Sequence, residues 1–453
     1  MLTFAVLSGL YYLAWRVCRG RIAGEAERRA AWRALTAGLV IVNLSMLWLY
    51  PIGAADVFDN IARGRITAQH GGNPFYDTPA DYRRDPFRAY VAWPRSTSAY
   101  GPVWEWLAAG ASRMAGDNVL ANVLVFKTLG LIFYIGGIVL IARILHRHAP
   151  ERALQGVCLF AWNPLLIYAT AGNAHNDIAM VFLVLLAIDT LSRRRFTLAA
   201  TWLAAGALIK FIPILLLPVV IAAGLRAIPT PRRRIRLLLN TGLACATLVI
   251  AAFAPFWRGG DPLNLERRSQ LFTSSLAAVA QAQLEAPLGR EASQRLISTA
   301  ALVLTGLIVL DQARRVWSQP SPGKNESSWL VPIRAATVIL LFYLLVTCLW
   351  FQPWYAIWPL ALAALLPEGA LARTAVLLSY AALWKAIIFN LFLFPGGKLP
   401  PRTWRETLLG PATLGLVWLY AGYALVAHRR SRIAMRRWRA RPIRTRQSDM
   451  AHS

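Results

Sequence analysis

LTAGLVIVNLSMLWLYPIGAADVFDNIARGR, residues 35 to 65, decides the fold. Its first part, residues 35 to 53, carries no charge and is long enough to cross a ~30 Å hydrocarbon core as a helix. Just beyond it stand two acids, Asp56 and Asp59, and two bases, Arg63 and Arg65. A soluble core helix would not end in this way. The stretch predicts a membrane span that delivers ionisable groups to the lip of the bilayer.

The rest of the chain agrees. Of its 453 residues, 57% are hydrophobic and only 15% charged, against about 25% charged in a soluble protein. The formal charge of +28 comes from arginines in short clusters between apolar runs. That is where the positive-inside rule puts them, so no nucleic-acid partner is expected. Cys18, Cys158, Cys245 and Cys348 lie in or at the ends of apolar runs without CxxC spacing, which reads as packing within the membrane. The fold expected is all-α and polytopic, with about 11–13 transmembrane helices.

Charge sets the expected topology. Residues 1–33 read as an extra N-terminal span followed by a basic cytoplasmic loop, so the 35–53 span runs outward. Residues 54–118 then form a first outer loop with interfacial helices, in which YGPVWEWLAAGASRM does not cross. A second outer loop covers 258–293, and the basic tail 428–453 is cytoplasmic, against anionic headgroups. The membrane-spanning body is 34–427, in a multi-pass protein of the plasma membrane. In this register Asp56, Asp59, His175, Asn176, Asp177, Lys210, Arg258 and Gln352 all come out on one side. An outward-facing polar site on membrane helices is the main inference.

Each residue also has a plainer explanation. An acid at a helix start suits the positive end of its dipole, and arginines at an interface often contact headgroups. Tyr100 in the AYGP turn, and Trp354 and Tyr355 in FQPWYAIW, would suit an aromatic belt as well as a sugar ring or prenyl tail. AGNAHND, residues 171 to 177, is harder to dismiss, because a helix end needs one cap and here Asn173, His175, Asn176 and Asp177 crowd together. Amides and carboxylates offer the paired donors and acceptors that sugar hydroxyls need. Asp56, Asp59, His175 and Asp177 also have the chemistry of metal ligands, but no HExxH-like spacing supports a metal, and no cofactor is expected. Lys210 sits inside LAAGALIKFIPILLLP, where an ammonium is costly and a functional role is the default hypothesis. Lys127 and Lys385 pose the same question more weakly.

Taken in order, DVFDNIARGR…GGNPFYDTP, SAYGP, NPLLIYATAGNAHNDIAM, LIKFIPILLLP and PWYAIWPL resemble the GT-C glycosyltransferases over roughly residues 34 to 395. The closest likeness is to the polyprenyl-phosphomannose-dependent mannosyltransferases and the related family 87 enzymes. The resemblance implies a GT-C catalytic domain that moves a hexose such as mannose from a polyprenyl-phosphate carrier to a lipid or glycan acceptor, outside the cytoplasm. It implies an aspartate base in the first outer loop, at Asp56. Phe58 and Asn60 depart from the family's aromatic spacing there, so Asp59 competes for the role. Lys210 matches in kind a basic residue near the donor phosphate, with Arg63, Arg65 and Arg258 as further candidates. His175, Asn176, Asp177, Tyr100, Gln352, Trp354 and Tyr355 are candidates for sugar or acceptor. The rival is a flippase of lipid-linked glycans, which would show internal repeats and polar groups towards both faces. No clear repeat is present.

Overall fold

A computed structural model describes residues 2–19, 24–53, 55–260, 270–319, 328–388 and 402–439. Among them every regular element is a helix, with no strand and one isolated bridge, Thr273 to Trp350. The protein is an all-α polytopic membrane protein.

Helices α1 (Leu2–Arg19) and α2 (Glu25–Trp48) open the bundle. The 24 residues of α2 give about 36 Å, enough to cross a bilayer. It buries Leu35, Leu39 and Asn43, spaced four apart along one stripe, and turns most of its other residues outward. Helices α3 (Asp56–Ala68) and α4 (Pro102–Ala115) follow, and α4, at 14 residues, is too short to span. They lie against each other so closely that a Cβ on Gly64 would stand 2.4 Å from the Ala108 carbonyl oxygen.

Next come α5 (Val119–His148), α6 (Ala153–Ala161), α7 (Pro164–Ile167), α8 (Asp177–Ser192), α9 (Phe196–Ala207), α10 (Leu217–Ala227) and α11 (Pro231–Phe253). The remaining helices are α12 (Leu276–Leu288), α13 (Arg290–Ser318), α14 (Leu330–Phe342), α15 (Ile357–Ala363), α16 (Ala370–Ile387) and α17 (Arg402–Arg439). Among the described residues six stretches are long and apolar enough to cross a membrane, or seven if the bent pair 150–161 and 164–172 counts as one span. The expected 11–13 crossings counted apolar stretches, and several of these are broken.

The breaks have local causes. The helical run 150–172 bends by 53° where Trp162-Asn163-Pro164 interrupts it. Asn163 Oδ1 accepts from the amides of Leu165 and Leu166, restarting the helix, and its Nδ2 donates to Ser379. A π-helical turn, Tyr168–Gly172, then ends at the AGNAHND segment. The run around Lys210 divides into α9 and α10, connected through a 3-10 turn, Ile212–Leu216, with Pro213 at its second position.

The two weaker lysines are backbone staples. Lys127 Nζ, fully buried, donates to the carbonyls of Met46, Leu47 and Leu49 at the end of α2. Of these acceptors Met46 also takes the Leu49 amide at 3.2 Å; carbonyls at a helix end are short of partners, and a cation suits that end of its dipole. Lys385 Nζ donates to the Phe351 carbonyl at 2.8 Å. Each lysine holds the backbone just ahead of a polar segment, Asp56 in one case and Trp354 in the other. The part of the second outer loop at 261–269 and the tail at 440–453 lie outside the described residues.

Candidate active site

Five segments distant in sequence meet at one end of the bundle. Asp56 is the first residue of α3; the cap position is Ala55, so neither Asp56 nor Asp59 is the N-cap. Asn173 fixes the approach, with its Oδ1 accepting from the Gly53 amide at 2.7 Å and its Nδ2 donating to the Tyr168 carbonyl. Gly53 has to be glycine, since a Cβ there would meet the Tyr168 hydroxyl at 2.5 Å. Asn173 thus ties the strap before Asp56 to the segment that carries His175.

His175 Nδ1 stands 3.6 Å from Asp56 Oδ2. Its ring stacks on Trp354, with centroids 3.7 Å apart. Beside them Asp177, the first residue of α8 and fully buried, accepts at Oδ1 from Lys210 Nζ at 2.8 Å and from the Trp358 indole N–H at 2.7 Å. Lys210 Nζ lies 4.3 Å from the centre of the Tyr355 ring and 5.7 Å from that of Tyr100. Tyr355 stacks in turn on Trp358.

The AYGP turn reaches this place because Gly101 and Val103 donate to the carbonyls of Ile209 and Leu208, each at 3.0 Å. A Cβ on Gly101 would fall 2.2 Å from the Leu208 oxygen. The turn and the Lys210 bend are therefore joined backbone to backbone. Gln352 immediately precedes the 3-10 turn Pro353–Ala356 that carries Trp354 and Tyr355.

The two acids differ. Asp59 accepts from the amides of Ala92 and Trp93, both at 3.1 Å, and lies 3.6 Å from Arg63. Arg63 also donates to the Ser96 carbonyl. This pair anchors the loop that crosses α3. Asp56 is the more open carboxylate, with 24% of its side chain exposed against 5% for Asp59. Burial, reinforced by the charge of Asp59, pushes the Asp56 carboxyl up to about 6, while Lys210 and Arg63 pull the other way. Burial and then the Lys210 charge push His175 down to about 3, so its ring is neutral.

Other candidates sit elsewhere. Arg65 is occupied by Asp85, Asp117 and the Gly116 carbonyl, a three-way structural tie that leaves its guanidinium no role at the cluster. Arg258 is exposed on a segment docked to the GGNPFY turn, where Asn73 Nδ2 donates to the Phe256 carbonyl and the Tyr76 hydroxyl to that of Gly259. Trp358 was not singled out by sequence, although a Trp in an apolar run needs an acceptor for its N–H, and that rule was the available signal.

Asn176 Nδ2 and Asp177 Oδ2 are buried with no hydrogen-bond partner among the described residues. Buried polar atoms are normally satisfied, so two orphans next to the Lys210–Asp177 pair call for an explanation, which the polar groups of a ligand would supply. Among the described residues no three His, Cys, Asp or Glu side chains are grouped to hold a metal ion.

A helical membrane bundle with short broken helices around such a cluster is what the resemblance to the GT-C glycosyltransferases implies. Residues 1–226 match a family model described as "Alpha-(1->6)-mannopyranosyltransferase, N-terminal domain". The chain is 24% identical over 216 residues to alpha-(1->6)-mannopyranosyltransferase A of Corynebacterium glutamicum, covering 47% of this chain and 44% of that protein. It is 30% identical over 156 residues to an alpha-(1->6)-mannopyranosyltransferase of Mycobacterium tuberculosis, covering 32% of this chain and 26% of that one. The chain belongs to this family of GT-C mannosyltransferases. It spans less than half the length of these curated relatives. The family match takes in residues 1–33, which the motif resemblance left out, and ends before PWYAIWPL.

Proposed function

We propose that the chain transfers mannose from a polyprenyl-phosphate carrier to a hydroxyl of a lipid or glycan acceptor, at the extracytoplasmic face, with Asp56 as general base. The acceptor O–H gives its proton to an Asp56 oxygen while the oxygen attacks the sugar's anomeric carbon. The bond from that carbon to the phosphate oxygen breaks, and its electron pair leaves with the phosphate. Lys210 has donors to spare beyond its bond to Asp177 and neutralises the departing charge. A sugar phosphate is already a good leaving group, so the scheme needs no separate acid.

Asn176 Nδ2 and Asp177 Oδ2 bind sugar hydroxyls, and Trp354 and Tyr355 offer ring faces to the sugar or the prenyl chain. Arg63 holds Asp59, and Asp59 shapes the loop, so Asp56 takes the chemical role. A single displacement inverts the anomeric centre. If the product bears the alpha-(1->6) link named in the relatives, the donor is the beta-linked sugar phosphate.

What carries the reading is the half-open Asp56 facing neutral His175 next to the Lys210–Asp177 pair, with two buried polar atoms awaiting partners. The test is transfer of labelled mannose from polyprenyl-phosphate mannose by purified protein. Asp56→Asn should lower the rate about 100- to 10,000-fold, the range of general-base catalysis. A folded variant with near wild-type transfer would remove Asp56 from the mechanism. A wild-type protein that moves the intact lipid across vesicles but transfers no sugar would favour a flippase.

A further inference from the structure

A second cleft takes in Arg19 at the end of α1, close in sequence to the start of α2, whereas Asp56 follows the other end of that 24-residue helix. It has a volume of about 380 Å³ and lies between α1, α6, α16 and α17. Taking roughly 30 Å³ for one water, it has room for about a dozen waters' worth of ligand atoms. Small residues line part of it: Gly156 is packed so tightly on Ala364 that a Cβ there would lie 2.5 Å from the Ala364 oxygen, and Ala372 adds little bulk to the cleft.

The cleft has two chemically distinct parts. Its walls are apolar and aromatic, formed by Tyr11, Trp15, Leu159, Val376 and Tyr380. At its rim stand Arg19, Arg152 and Arg373 with a single acid, Glu368. Glu368 bridges Arg19 at 2.9 Å and Arg373 at 2.8 Å, which spaces the two guanidiniums and fixes them. Arg19 also lies over the Trp15 ring, at 5.7 Å from its centre. The lining carries three cations against one carboxylate, and with Glu151 acting on Arg152 from beside it the site still has a net positive charge above a greasy wall.

We propose that this cleft binds one anionic phospholipid, its phosphate among Arg19, Arg152 and Arg373 and an acyl chain along Tyr11, Trp15 and Val376. The charge calls for an anion, and the apolar walls call for one with a hydrocarbon tail. The site is independent of the sugar chemistry at Asp56.

The experiment uses the full chain in nanodiscs of phosphatidylcholine containing phosphatidylglycerol, with retained lipid read by native mass spectrometry. Wild type should keep one phosphatidylglycerol. Arg152→Gln with Arg373→Gln should lower that retention about fivefold per arginine removed, as expected for roughly 1 kcal/mol per basic group. Val376→Trp leaves every charge in place and fills the cleft, so it should lose the lipid too. It carries the test if the arginine variant fails to fold. Arg232→Gln with Arg233→Gln, at the start of α11 on the same end of the bundle, should retain it. Equal retention in the cleft variants, equal loss in the α11 control, or a lipid-free dimer closed over the cleft would overturn the proposal.

Discussion

Asp56→Asn should do two opposite things: abolish transfer and stabilise the protein. Asp56 titrates near 6 because burial, and then Asp59, disfavour its charge. An ordinary aspartate titrates near 3.9. The folded state therefore holds the proton more tightly than the unfolded chain does. Stability from this group is greatest below about pH 4, declines as pH rises through the window from about 4 to 6, and stays reduced at neutral pH. Two pH units correspond to roughly 3 kcal/mol, and partial exposure of the side chain brings the cost to about 1–3 kcal/mol. Asparagine keeps the shape and removes the charge, so most of that cost should disappear. The assay is thermal unfolding of wild type and Asp56→Asn in one detergent at pH 5 and at pH 8. The variant should be the more stable at pH 8, and the difference should shrink towards pH 5. The wild-type transfer rate should follow the ionised fraction, falling to about a tenth of its plateau at pH 5. A variant less stable than wild type at pH 8, or a wild-type rate flat from pH 5 to 8, would refute the reasoning.

Other substitutions separate chemistry from scaffolding. Lys210→Met should cost about 100- to 1,000-fold in turnover, the scale of losing one charge-stabilising donor, measured with saturating donor. Trp358→Phe removes one of the two bonds to Asp177 Oδ1 and should weaken donor binding more than it slows turnover, seen as a rise in KM. Lys127→Met strands the carbonyls of Leu47 and Leu49, while Met46 keeps the Leu49 amide, and should lower stability by about 1–3 kcal/mol, measured by thermal unfolding. Asp59→Asn should leave transfer measurable, since its carboxylate holds the Ala92 and Trp93 amides and takes no part in the proton transfer. A complete loss there would exchange the roles of the two acids.

Much of this protein was legible in one dimension. Hydrocarbon cannot hydrate a backbone, so long uncharged runs must become helices, and arginine clusters mark one end of them. That logic alone singled out Asp56, His175, Asp177 and Lys210, which do meet. It also pointed to Arg65, whose guanidinium turned out to be consumed by Asp85, Asp117 and Gly116. Residue type records that a side chain can bind an anion but not which partner reaches it first. Only the tertiary structure distinguished Asp56 from Asp59, three residues apart on one helix. Their separation depends on the amides of a loop more than thirty residues downstream. It likewise showed Lys127 and Lys385 to be staples for backbone and Lys210 to be the lysine bound to a carboxylate. A lone polar group in a membrane announces from sequence that it has a partner. Which partner, and so what task, is decided by the packing of helices far apart in the chain.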